Sequence, residues 1–147
     1  MDVRADLTTD AAPSALFEVV ADLATYPDWL DIVGRAESTP SVEGDVGPAW
    51  LVDLQGQLGP LRRSKRLRMV RTECTAPRRV RFERRDVDGR DHSDWVLTAT
   101  VDDGDEGGSR LEVHLHYGGS LWVPLLDRLL ADEIRSSRRR LAELVGS

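Results

Sequence analysis

The sequence predicts an α+β fold: a curved antiparallel sheet of about seven strands around one long C-terminal helix, with two short helices after the first strand. Three observations carry that expectation. Apolar residues recur with period two through most of residues 50–117, as in strands with one buried face. Short stretches rich in Gly, Pro and Asp separate these runs, as turns do in a meander. The end of the chain then changes to a helical stripe long enough to cross a small domain.

Taken in order, Val3, Ala5 and Leu7 alternate with polar partners, so Val3–Thr8 reads as the first strand. Pro13 suits the first turn of a helix, and Leu16, Val19, Val20 and Leu23 follow at helical spacing. Pro27 is expected to end that helix, because the residue before a proline is pushed out of the helical region. A second short helix over Asp28–Val33 would bury Trp29, Ile32 and Val33 and stop at Gly34. Alternation follows in Trp50, Val52 and Leu54, then Leu67 and Met69, then Val80 and Phe82. Two longer rows, Trp95 to Val101 and Leu111 to Tyr117, complete the sheet. From Trp122 to Val145 one stripe joins Leu126, Leu129, Leu130, Ile134, Leu141 and Leu144. At about 24 residues that helix would span roughly 36 Å. A sheet with one apolar face needs a cover, and only this helix is long enough. Strands and helix then enclose a groove, closed at one end by the short helices.

Length and composition bound the function. The chain has 147 residues, 40% hydrophobic and 31% charged, with no linker, repeat or low-complexity tract, so residues 1–147 read as a single globular domain. One cysteine, Cys74, excludes an internal disulfide framework and a multi-cysteine zinc site; a quiet buried or half-buried thiol is expected. No apolar run reaches the ~18 residues of a membrane span, and the start of the chain has no apolar leader core. The expectation is a soluble, cytoplasmic protein.

Net charge is −6, yet Arg62–Arg85 holds eleven basic residues and two acidic ones, Glu73 and Glu83. Strand parity puts Arg62, Arg66, Arg68, Arg79, Arg81 and Arg85 outward, which predicts an electropositive sheet face. Such a face could dock an acidic protein or an anionic membrane surface, or be an ordinary solvated face rich in the arginine this chain prefers. The acidic remainder argues against duplex DNA.

The stretches DLTTDAAPSALFEVVADLATYPDWLDIV, SRLEVHLHYG and WVPLLDRLLADEIRSSRRRLAELV resemble the polyketide cyclase/dehydrase-like branch of the START-like (SRPBCC) superfamily. The resemblance spans the chain, and its most recognisable unit is the Pro13-led helix followed by Tyr26-Pro27-Asp28-Trp29. It implies the helix-grip fold of the birch-pollen allergen and of START lipid-transfer domains. It also implies either carriage of a lipid-like molecule or ring-closing and dehydrating chemistry on a polyketide. Fold likeness does not choose between them.

The residues themselves favour binding of a hydrophobic or amphipathic small molecule, such as a lipid, isoprenoid or polyketide. The inward positions Trp50, Val52, Leu67, Met69, Phe82, Trp95, Leu97, Leu115, Tyr117, Leu126, Leu130 and Ile134 would line the cavity. Arg71 and Arg84 end inward rows and would clamp a carboxylate or phosphate head group, escape to solvent, or pair with a carboxylate. If a polyketide cyclase or dehydratase reaction occurs, Arg71, Tyr117 and Glu133 are the candidate proton-transfer groups. His92, His114 and His116 fall on outward parity. No nucleophile pair, phosphate loop or metal-ligand set is recognisable, so no cofactor and no metal are expected, and the Asp102–Ser109 loop reads as a solvated hairpin tip.

Overall fold

The computed structural model describes residues 2–30, 32–58, 61–118 and 138–145, with backbone alone over 56–58 and 61–63. The elements run β1 (Asp2–Thr9), α1 (Pro13–Val20), a 3-10 helix (Leu23–Asp28), β2 (Val33–Thr39), β3 (Ala49–Leu58), β4 (Leu61–Thr75), β5 (Arg79–Arg84), β6 (Trp95–Asp103) and β7 (Ser109–Tyr117). The seven strands form one sheet in the order β1-β7-β6-β5-β4-β3-β2. Every neighbouring pair is antiparallel. Strands β2 to β7 are therefore a meander, and β1 closes onto the last of them. The chain between β1 and β2 has to travel from one sheet edge to the other. It does so across the apolar face as α1 and the 3-10 helix, with α1 against β6 and β7 and the 3-10 helix against β2.

Helix α1 starts at Pro13, whose missing N–H costs nothing in the first turn. It buries Leu16, Phe17 and Val20 and stops at Val20. The sequence pattern carries this helix on to Pro27 and puts a second one over Asp28–Val33; both boundaries are corrected. Asp22 accepts a hydrogen bond from Ala24 N at 3.0 Å, a local cap that opens a new helical turn of the tighter 3-10 type. Pro27 lies inside that turn, and Val33 already begins β2. Trp29, Ile32 and Val33 are buried nonetheless. The carbonyls at the end of α1 are met by side chains from elsewhere. Thr25 donates to Val19 O at 2.7 Å, the Tyr26 hydroxyl to Val20 O at 2.8 Å, and Arg71 to Ala21 O at 3.0 Å.

Strand parity holds through the meander. Trp50 faces Met69, Val52 faces Leu67, Phe82 faces Leu97, and Leu97 faces Leu115, all buried or half-buried on the helix-covered side. Three outward positions depart from it: Ala49 and Val70, a buried cross-strand pair, and Arg68. Arg68 is buried at 4% exposure, because residues 40–48 fold across the outer face of β3 and β4. Gly47 lies so close to that strand that a Cβ would run into the Arg71 carbonyl oxygen. Cys74, expected to be at least half-buried, is exposed. Pairing between β3 and β4 reaches only to Val70, so the end of β4 has β5 as its only strand neighbour. Residues 138–144 are helical, with Leu141 fully buried. The rest of the expected terminal helix, with Trp122, Leu126, Leu129, Leu130, Glu133 and Ile134, lies outside the described residues.

Candidate functional site

Between the 3-10 helix and the sheet lies a cavity of about 70 Å³. Its sheet wall holds Val52, Leu67, Met69, Trp95, Leu97 and Leu115, six of the positions that parity turned inward. Leu54 and Val113 join them from the same strands and Val33 from β2, while Leu23, Tyr26, Trp29, Leu30 and Ile32 form the opposite wall. Those lid residues could have been picked out only by knowing which face the 3-10 helix turns to the sheet. The one hydroxyl among the lining residues, that of Tyr26, is spent on Val20 O. Burial raises its pKa far above the ordinary phenol value, with Asp22 adding to the shift, so it stays a neutral donor.

Trp50, Phe82 and Tyr117 are buried but stand behind this wall rather than in it. They extend an aromatic framework. Tyr26 packs on Trp29 at 4.7 Å between ring centroids and edge-on to Phe82 at 6.3 Å, Phe82 meets Trp50 at 5.6 Å, and Trp95 stacks on Tyr117 at 5.4 Å. The indole N–H groups of Trp29 and Trp95 are buried without a hydrogen-bond partner among the described residues. Two orphaned donors on lining residues are unusual, since nearly all buried polar groups are paired.

Both candidate clamp arginines are occupied. Arg71 is half-buried and caps α1 through Ala21 O. Arg84, with its side chain 6% exposed, donates to Asp86 through Nε and to Ser93 O at 3.3 Å. Sequence reasoning missed the third inward cation, Lys65. It pairs in register with Leu54, two positions before Leu67, and its ammonium lies 5.9 Å from the Trp95 ring centroid. Burial lowers its pKa, with Arg84 adding to the effect and Asp86 opposing it. The signal was available: the chain has one lysine among twenty basic residues, and inward parity runs back from Met69 through Leu67 to it.

The outer face is not the bare electropositive patch that the charge count suggests. Arg66 pairs with Asp53 at 2.7 Å, Arg79 with Glu73 at 3.2 Å, Arg81 with Glu83 at 3.8 Å and Arg85 with Glu83 at 3.3 Å. Arg68 is sealed against Asp45, and the Arg62 side chain lies outside the described residues. Counting along the segment misses Asp53 and Asp45, which come from β3 and the 40–48 loop. The histidines are outward and engaged: His114 and His116 share Asp2 at 2.8 and 3.0 Å, and His92 meets Asp88 at 2.8 Å. Among the described residues no cluster of metal-ligating side chains is found.

The fold has wide company. A START superfamily protein from Mycobacterium smegmatis superposes with a TM-score of 0.72 at 15% identity, covering 98% of this chain and 96% of that one. A protein from Chromobacterium violaceum gives a TM-score of 0.69 at 15% identity over 99% of this chain and 97% of that one. The di-domain ARO/CYC protein StfQ of the steffimycin biosynthetic pathway gives 0.67 at 13% identity, covering 98% of this chain and 50% of that one. No curated protein matches the chain. The family model for polyketide cyclase/dehydrase and lipid transport proteins matches residues 1–146, so this START-like chain belongs to that family.

Proposed function

We propose that this protein binds or carries a hydrophobic or amphipathic small molecule, of the lipid, isoprenoid or polyketide kind, between the 3-10 helix and the sheet. The observation that carries the reading is the wall itself: apolar side chains on both sides of an internal space, with its one hydroxyl already bonded. The unpaired indole N–H groups of Trp29 and Trp95 add to it, because a polar atom on a ligand would offset their desolvation. The family's description, which joins cyclases with lipid transport, agrees with it.

Size constrains how binding happens. An apolar cavity of about 150 Å³ binds benzene, and the space here is about 70 Å³. A lipid-sized ligand therefore has to part the 3-10 helix from the sheet, and uptake is coupled to that movement. The Leu126, Leu130 and Ile134 stripe of the terminal segment is proposed as the remaining wall. No helix among the described residues is long and apolar enough to cross a membrane. Native mass spectrometry of the freshly purified protein tests the reading. We expect adducts above the 16.4 kDa chain that disappear on organic extraction and return on incubation with the extract. A bare chain that takes up no lipid or polyketide would contradict it.

A further inference from the structure

We infer that Lys65 is the head-group anchor of this cavity, so that the ligand is an apolar body carrying one carboxylate. This rests on the binding reading above and adds the chemistry of one end of the ligand. Lys65 lies on the inward side of β4, and its cross-strand partner Leu54, its neighbour Leu67 and the Trp95 ring beneath its ammonium all belong to the cavity wall. It is half-buried, and its ammonium stands over the ring of Trp95, one of the lining residues.

Among the described residues the charge around it is unbalanced. Lys65 and Arg84 are the two cations, and Asp86 is the carboxylate that acts on Lys65. Asp86 is already engaged, accepting from Arg84 Nε and from the Arg68 backbone N–H at 3.3 Å. Among the described residues no carboxylate stands within ion-pair distance of Lys65. Burial and the neighbouring guanidinium both work against its ammonium, and an arriving anion would offset both effects. The Trp95 face supplies part of that compensation. The other inward cations whose side chains are described already donate, Arg71 to Ala21 O and Arg84 to Asp86 and Ser93 O. An ammonium is also the suitable group here: three rotatable donors on a flexible stem can follow a head group whose position varies with tail length.

The test uses the whole protein loaded with Nile red, a neutral dye, and displaces the dye with decanoate or decanol. The pair differs in its head group alone. Charged hydrogen bonds of this kind predict that Lys65→Met lowers the decanoate-to-decanol affinity ratio about 10–100-fold, while decanol affinity stays within about twofold. Lys65→Arg should keep most of the ratio, and Lys65→Gln should lose it as Lys65→Met does, which guards against a packing defect in one variant. Circular dichroism melting confirms that each variant is folded. An unchanged ratio in Lys65→Met and Lys65→Gln, with both competitors still displacing dye, overturns the anchor and leaves the container standing. Failure of both competitors to displace dye from the wild-type protein overturns both.

Discussion

Replacing Arg68 with methionine is the sharpest test of how the outer face is built. The side chains of Arg68 and Asp45 are 5% and 6% exposed. The guanidinium donates to Asp45 at 2.7 and 3.3 Å, to Pro40 O at 3.1 Å and to Arg85 O at 3.1 Å. Methionine keeps the apolar stem and removes all four bonds, leaving a carboxylate and two carbonyls under the 40–48 loop. Breaking a buried pair costs about 3–5 kcal/mol, and we take about 3 because this pair lies beneath a single surface loop that can open to water. For a chain of this size that lowers the melting temperature by about 6–12 °C. Arg66→Met is the control on the same strand, since Arg66 is 64% exposed and its pair is screened by water. Thermal and urea unfolding followed by circular dichroism read the difference, and Asp45→Leu on the Arg68→Met background should restore part of it. A loss no greater than that of Arg66→Met would show that the loop does not seal Arg68, and the correction to the outer face would fall.

Two further outcomes follow from the interior and from the same ion pair. Leu67, 1% exposed and in the cavity wall, should cost about 2–5 kcal/mol when cut to alanine. The enlarged space should raise benzene uptake in the same protein, measured by ligand-induced shifts in melting temperature; no rise would mean the wall collapses. Asp45 is held below the ordinary aspartate range by its hydrogen bond from Arg68, with the Val42 N–H adding to it. A carboxyl depressed in the folded state gives stability that is present above the unfolded value near 4 and lost as pH falls through the lower folded value. Melting temperature should fall below about pH 4, less steeply in Arg68→Met; equal slopes would contradict the coupling.

Much of the sheet was legible because period two survives wherever one face is buried and both neighbours are antiparallel. The row Leu111 to Tyr117 shows this well, since β1 and β6 pin it from either side. The same rule points to Leu54, Val113 and Lys65, and Lys65 went unnamed because the β4 row was started at Leu67 instead of Leu61. Arg68 could not be read that way. Its burial comes from a loop 23 residues upstream, and strand parity holds no information about what lies over the outer face. The break between α1 and the 3-10 helix was missed because an apolar stripe runs through it, while the local cap at Asp22 decides the geometry. The lid side of the cavity depends on that geometry, so the sequence named Trp29 and Ile32 as buried without joining them to the site. The outward arginines were misjudged as a bare surface because two of their carboxylate partners, Asp53 and Asp45, lie outside the counted segment, on β3 and in the 40–48 loop.

The central claim, an interior that takes up an apolar ligand, is tested most directly by titrating Nile red into the wild-type protein and into Val113→Phe. Val113 is 5% exposed and lines the cavity, so the larger ring fills the space from the sheet side. Overpacking of this kind costs about 1–3 kcal/mol, which leaves the variant folded and measurable. Saturable uptake of one dye per chain is expected of the wild-type protein, and loss of that uptake in Val113→Phe, with circular dichroism unchanged. Equal uptake by the two proteins would put the dye outside the cavity, and no uptake by either would mean that the interior is a core and not a container.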